Sequence, residues 1–105
     1  MLEQGRQLHI AGDLVGAAAL YNKVLSQDSL NAEACNLLGV VSLQNGDSQS
    51  AIRLIQKAIS IESGNAGFFN NLGQAFQTDG DLNQAMESYQ KGHEISSDDP
   101  PLNDN

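Results

Sequence analysis

The chain of 105 residues is long enough for one domain, and its 13 acidic and 5 basic residues give a net charge of −8. An acidic chain repels phosphate backbones, which argues against a nucleic-acid partner. The single cysteine excludes an internal disulfide, and the chain shows neither a signal peptide nor an apolar run long enough for a membrane span, so a cytoplasmic protein is expected.

Six helices are predicted, joined in pairs by turns that contain glycine. Apolar residues recur at helical spacing in each segment, and polar turn residues or glycine end each one. In the best-marked pair, Asn31 and Asp47 are the expected N-caps, and Gly46 occupies the turn between the helices. The predicted helices are Leu2–Ala11, Leu14–Gln27, Ala32–Asn45, Ser48–Ile61, Ala66–Thr78 and Leu82–Ile95.

The helix pairs repeat with a period of 34 residues. Glycine recurs in the middle of each first helix, alanine recurs in each second helix, and a Gly-Asp pair recurs in each turn. A fixed period of this size indicates a stacked array of one helical unit, an all-α solenoid. We expect the mid-helix glycines to face the recurring alanines, so that small residues let the paired helices approach closely. These residues are Gly5, Gly39 and Gly73, and Ala17, Ala51 and Ala85.

These residues resemble the tetratricopeptide repeat, whose 34-residue unit is a pair of antiparallel helices. The third copy carries the clearest match, with Phe69, Leu72-Gly73, Phe76, Ala85 and Tyr89. The resemblance implies an α-solenoid of three repeats in a short right-handed superhelix. The repeats would cover residues 1–31, truncated at the N-terminus, then 32–65 and 66–99, followed by a polar tail at 100–105. In the middle copy Cys35 and Ile55 replace large or aromatic residues of the family pattern, which predicts looser packing there.

The resemblance also implies a role in protein–protein interaction, through a concave groove lined by the first helix of each repeat. Amides both donate and accept hydrogen bonds, so they could pair with a peptide backbone, although such residues are also ordinary on exposed helices. A clamp for a terminal carboxylate is missing, because Leu2, Glu33 and Gly67 stand where cations would help. Val40 and Leu43 either contact a ligand or pack on the adjacent repeat. The groove candidates are Arg6, His9, Asn36, Val40, Leu43, Asn70, Asn71, Gln74 and Gln77.

Acidic residues are concentrated toward the C-terminal end of the chain. From Asp79 onward seven acids stand against Lys91 alone, which suits a basic partner or a solvated face that keeps the array soluble. The soft ligands His9, Cys35 and His93 fall in three different repeats, without the i, i+3 or i+4 spacing of a metal site. No metal, cofactor or catalytic role is therefore expected.

Both ends of the array lack a predicted solvating helix, since the segment after Ile95 is short, polar and contains Pro100-Pro101. Two interpretations follow: a piece of a longer protein, or a complete chain whose ends are covered by self-association, as in end-to-end stacking. The predicted function is a scaffold that binds a protein or peptide. The alternatives are a structural, self-associating element and a non-catalytic segment of a larger, glycosyltransferase-like protein.

Overall fold

A computed structural model gives the fold of residues 1–97. The predicted polar tail and the predicted end of the third repeat at residue 99 lie outside the described residues. Each predicted helix is present and ends within two residues of its expected position, so the all-α solenoid prediction is confirmed. The helices are α1 (Leu2–Ile10), α2 (Leu14–Gln27), α3 (Ala32–Gln44), α4 (Ser48–Ile61), α5 (Ala66–Asp79) and α6 (Leu82–Ser97).

The turns follow the chemistry that the sequence predicted. The Asn31 side chain accepts a hydrogen bond from the backbone N–H of Ala34 at 2.9 Å, and Asp47 accepts one from Ser50 at 3.1 Å. These contacts satisfy amides that the first helical turn leaves without a partner. The glycine in each hairpin turn has a φ between 85° and 90°, a left-handed conformation that glycine adopts without a steric penalty. These glycines are Gly12, Gly46 and Gly80.

The core runs along the stack rather than around one centre. Helices pair as hairpins, and the second helix of each of the first two hairpins packs against the first helix of the next, α2 against α3 and α4 against α5. The expectation of a loose middle repeat is not supported, because Cys35 and Ile55 are both 0 % exposed. Both belong to a cluster that includes Phe68 and Leu72 of α5, so the next repeat completes the burial of the middle one.

The mid-helix glycines pack mainly against large residues, which corrects the expected small-to-small contact. A Cβ atom on Gly5 would lie 2.5 Å from Cε1 of Tyr21, and one on Gly73 would lie 2.6 Å from Cε1 of Tyr89. On Gly39 it would lie 2.7 Å from Cγ1 of Ile55. Each glycine therefore makes room for the large residue 16 positions further along the chain.

Candidate functional site

The predicted groove residues all lie on α1, α3 and α5, the first helices of the three hairpins. We call the side of these helices that carries them the first-helix surface. On it, Nδ2 of Asn71 in α5 donates to Oδ1 of Asn36 in α3 at 3.1 Å. Asn36 is only 6 % exposed, so this bond gives a nearly buried amide a partner. The structure thus brings two of the predicted amides into direct contact across a repeat boundary.

Arg6 makes a second polar link, between α1 and α3. Its Nη2 atom donates to Oε2 of Glu33 at 2.8 Å, and Nη1 lies 3.6 Å from Oε1 of Glu3. The hydrogen bond with Glu33 is the main reason that the pKa of the Arg6 guanidinium is raised above its ordinary value. The positive charge of Arg6 is therefore largely balanced within the protein.

His9 forms a third link, this time among three helices. Its Nε2 atom hydrogen bonds to Oε1 of Gln44 at the end of α3, and its Nδ1 atom lies 3.3 Å from the hydroxyl of Tyr21 in α2. Because the Gln44 oxygen only accepts, Nε2–H donates to it, and the tautomer with its proton on Nε2 leaves Nδ1 to accept from the tyrosine hydroxyl. The imidazole is thus a structural bridge between the first two repeats.

A cleft of about 440 Å³ opens beside these links, between α1 and α3. Arg6, His9 and Gln44 supply its polar wall, and Ile10 and Leu37 supply its apolar wall. Ile10 is 82 % exposed. Arg6 and His9 of this cleft are among the predicted groove residues, whereas Ile10 and Leu37 are not. The 34-residue period could have identified these two residues from the sequence. Ile10 lies one repeat before Gln44, and Leu37 lies one repeat before the predicted groove residue Asn71.

The remaining candidates divide between solvent and the core. Asn70 and Gln74 on α5 are exposed, and Val40 on α3 is half-buried. Leu43 is half-buried and packs against the cluster that contains Ile55, in agreement with the packing interpretation. Gln77 is exposed, and its Oε1 accepts a hydrogen bond from the Tyr89 hydroxyl at 2.9 Å.

The charges of the chain are distributed unevenly between the two sets of helices. Apart from Arg6, every lysine and arginine of the sequence lies on a second helix, at Lys23, Arg53, Lys57 and Lys91. Cys35 is buried, and desolvation raises the pKa of its thiol above the ordinary 9.0. Within residues 1–97, no three potential metal ligands come together, and none of the helices has the length and apolar character needed to cross a membrane.

Sequence models of the tetratricopeptide repeat match residues 8–66 and 66–99 of the chain, which together span most of it. No curated protein matches the sequence. The fold is similar to that of MamA, with a TM-score of 0.82 and 22 % identity over 90 % of this chain and 55 % of MamA. The chain thus spans about half the length of MamA.

Two further solved structures are similar. The O-GlcNAc transferase of Thermobaculum terrenum aligns with a TM-score of 0.89 and 24 % identity, over 93 % of this chain and 19 % of the transferase. The second tetratricopeptide repeat domain of Spaghetti (RPAP3), solved with the HSP90 peptide SRMEEVD, aligns with a TM-score of 0.85 and 19 % identity, over 90 % of this chain and 87 % of that domain. The period, the helix pairs and the matched sequence models agree, and the chain belongs to the tetratricopeptide repeat family.

Proposed function

We propose that the chain is a protein–protein interaction module that binds an extended peptide segment of a partner along the first-helix surface. Tetratricopeptide repeats generally mediate protein–protein interaction, and the Spaghetti domain has the same fold and binds a peptide. The observation that carries the proposal is the arrangement of amides on this surface. Asn70 and Gln74 are exposed beside the Asn36–Asn71 pair, so their donors and acceptors are available to a peptide backbone.

The chemistry of the surface favours an internal segment over a chain terminus. Arg6 is the only lysine or arginine on the first helices, and its guanidinium is already paired with the carboxylate of Glu33. It is therefore not free to bind the terminal carboxylate of a peptide. The cleft beside it has an apolar wall of Ile10 and Leu37, which suits one apolar side chain of the bound segment. The expected ligand is therefore an extended segment with amide–backbone contacts and one apolar anchor.

We further propose that the module acts without catalysis. The ionisable side chains of the cleft are each engaged with a neighbour: Arg6 with Glu33, and His9 with Tyr21 and Gln44. A general base must be able to reach a proton on a substrate, and both nitrogens of His9 are already used to join helices. Their arrangement favours a structural role for these groups.

The proposal is tested by selecting a random-peptide phage library on the immobilised protein and measuring the affinity of enriched peptides by fluorescence anisotropy. The double variant Asn70→Ala/Gln74→Ala removes two exposed amides and should weaken binding about tenfold, the effect of losing one or two hydrogen bonds. The matched control is Asn22→Ala/Gln27→Ala, which removes one asparagine and one glutamine that are exposed on α2.

Each enriched peptide is measured with a free and with an amidated C-terminus. Equal affinity of the two forms would support recognition of an internal segment. Strong dependence on the free carboxylate would contradict that part of the proposal. If the α5 double variant and the α2 control bound all enriched peptides like the unaltered protein, the first-helix surface would not be the binding site.

A further inference from the structure

The turn between α3 and α4 contains a chemically reactive pair of residues. Asn45 is the only asparagine of the sequence that is followed by glycine, and Gly46 has no Cβ to hinder the approach to its backbone nitrogen. In such a pair the glycine nitrogen can attack Cγ of the asparagine side chain and close a cyclic imide. A larger residue after the asparagine obstructs this attack. Asn45 is therefore the asparagine of this chain whose sequence neighbour most favours ring closure.

The side chain of Asn45 is exposed, and no other group of residues 1–97 hydrogen bonds to its amide. The other asparagines of these residues are more restrained. Some lie inside helices, where the next backbone N–H is held in a helical hydrogen bond, namely Asn22, Asn36, Asn70, Asn71 and Asn83. The rest cap helices with their side-chain oxygen, namely Asn31 and Asn65. Local structure thus singles out the same residue as the sequence does.

The third repeat offers an internal comparison, because Asp79 and Gly80 occupy the equivalent positions one period later. An aspartate followed by glycine can close the same ring. The Asp79 carboxylate is restrained, however, since Ser48 and Gln49 of α4 donate to its Oδ1 at 2.8 and 2.9 Å. The two residues that would reach Asn45 in the same way have no donor in their side chains. They are Leu14 and Val15.

The folded turn opposes ring closure at Asn45. The Gly46 N–H donates to the carbonyl oxygen of Leu43 at 3.0 Å, and this bond holds the proton that must leave. Asn45 has a ψ of 0°, which eclipses the Gly46 nitrogen with the backbone nitrogen of Asn45. The Cα–C bond must rotate until the Gly46 nitrogen eclipses Cβ instead. Ring closure therefore requires the turn to open locally.

We propose that Asn45 is a modification site, at which the chain deamidates spontaneously at a rate set by opening of the α3–α4 turn. The Gly46 nitrogen loses its proton to a base in the solvent and forms a bond to Cγ of Asn45. The bond between Cγ and Nδ2 breaks, and Nδ2 takes up a proton and leaves as ammonia. Water then hydrolyses the imide. Hydrolysis at Cγ gives aspartate, and hydrolysis at the backbone carbonyl gives isoaspartate.

Both products weaken the hairpin. Each places a negative charge at the C-terminal end of α3, where the helix dipole disfavours it. Isoaspartate also adds a methylene group to the main chain, within a turn whose Asp47 N–H donates to the carbonyl oxygen of Ser42 at 2.9 Å. The deamidated fraction, separated by ion exchange, should therefore unfold at a lower urea concentration than the unmodified protein.

The test incubates the 105-residue chain at mildly alkaline pH and follows each asparagine by peptide mapping with mass spectrometry. Asn45 should deamidate at least about tenfold faster than any other asparagine of residues 1–97, because glycine alone leaves the attacking nitrogen unhindered. Its rate should rise at least about tenfold in urea, where the turn no longer protects it. Faster reaction of another asparagine, or equal rates at Asn45 with and without urea, would overturn the proposal.

The variant Asp79→Asn provides a matched control within one molecule. It introduces a second asparagine–glycine pair at the equivalent position, with Ser48 and Gln49 still able to donate to the side chain. The new asparagine should deamidate about tenfold more slowly than Asn45, the effect of one or two hydrogen bonds. Adding Ser48→Ala/Gln49→Ala should remove most of this difference. Equal rates at the two positions before that addition would contradict the role given to the free side chain of Asn45.

Discussion

At the scale of single residues, three residues of each repeat are matched to one another: a mid-helix glycine, a large residue on the second helix and its partner on the first helix. Where the large residue is tyrosine, its hydroxyl reaches a polar partner on the first helix: His9 for Tyr21 and Gln77 for Tyr89. In the middle repeat the large residue is Ile55, and the position equivalent to His9 and Gln77 holds Leu43. The mid-helix glycine makes room for the large residue in all three repeats. Each tyrosine hydroxyl thus has a polar partner on the first helix, and in the middle repeat an apolar pair takes the place of this contact.

The substitution Gly39→Ala should destabilise the protein by about 1–2 kcal/mol, measured by urea unfolding monitored by circular dichroism. Alanine has a higher helix propensity than glycine, and this difference alone would stabilise the protein by about 1 kcal/mol. The added Cβ would lie 2.7 Å from Cγ1 of Ile55 and 3.3 Å from the carbonyl oxygen of Ala51, and Ile55 is fully buried. We expect the steric clash to exceed the gain in propensity.

Gly64→Ala is the control for that measurement. A Cβ on Gly64 would have no neighbour within 4 Å, and the backbone there is not in the left-handed region. Alanine should leave the free energy of unfolding unchanged or raise it by about 0.5 kcal/mol, by restricting the unfolded chain. If Gly39→Ala were as stable as Gly64→Ala, the close contact between α3 and Ile55 would not limit the packing.

At the scale of elements, consecutive repeats are joined by polar contacts at the ends of helices as well as by the core. Asp79, the last residue of α5, accepts hydrogen bonds from Nε2 of Gln49 at 2.9 Å and from the hydroxyl of Ser48 at 2.8 Å. Both donors lie in the first turn of α4, where the helix dipole also favours a negative charge. These bonds lower the pKa of Asp79 below its ordinary 3.8.

This contact predicts a loss of stability in acid. A carboxyl group whose pKa is lower in the folded state stabilises it fully above about pH 4 and loses that contribution as the pH falls through the folded pKa. Asp47, whose pKa is lowered mainly by Ser50, contributes with the same sign. Asp79→Asn should therefore reduce the slope of stability against pH below 4, as measured by urea unfolding from pH 2 to pH 7.

The double variant Ser48→Ala/Gln49→Ala removes both donors and leaves the carboxylate in place. It should reduce the slope of the free energy of unfolding against pH below 4 to a similar extent, because the Asp79 carboxylate then has no hydrogen-bond donors on α4. If the slope below pH 4 were equally steep in the unaltered protein and in both variants, the hydrogen bonds from Ser48 and Gln49 to Asp79 would not affect stability.

The sequence predicted the elements better than the contacts between them. Helix ends followed from local chemistry, such as the Asn31 cap and the left-handed Gly46, and the structure agrees within two residues. The Asn71–Asn36 bond and the Arg6–Glu33 pair each join residues from consecutive repeats. Such pairings depend on how far one hairpin is rotated and shifted relative to the next, and helical periodicity carries no information about that offset. The same lack of information led to the wrong partner for the mid-helix glycines.

At the scale of the whole molecule, the described residues form a rod measuring 46 × 29 × 25 Å. The middle hairpin has neighbours on both sides, while the outer hairpins have one each. Burial follows this arrangement, since α3 has six buried residues and α1 has only Gly5. In a linear array, the free energy of unfolding is approximately the sum of the intrinsic stabilities of the repeats and of the contributions from the interfaces between neighbouring repeats.

Hydrogen exchange followed by mass spectrometry should therefore show a gradient along the stack. We expect amides of α3 and α4 to exchange most slowly, and those of α1 and of the C-terminal turns of α6 to exchange first. Equal protection of all six helices would contradict this picture, because it would mean that the described residues unfold only as a single unit.

The two ends of the rod also differ in how they would accept added repeats. Appending a consensus hairpin after α6 requires no surface change, because Met86 and Leu82 already present the apolar side chains that a new helix would bury. Prepending one before α1 would first require Gln4 and Gln7 to be replaced by aliphatic residues. Modular lengthening of this scaffold, for instance to build a longer designed receptor, is therefore straightforward in one direction and demands redesign in the other.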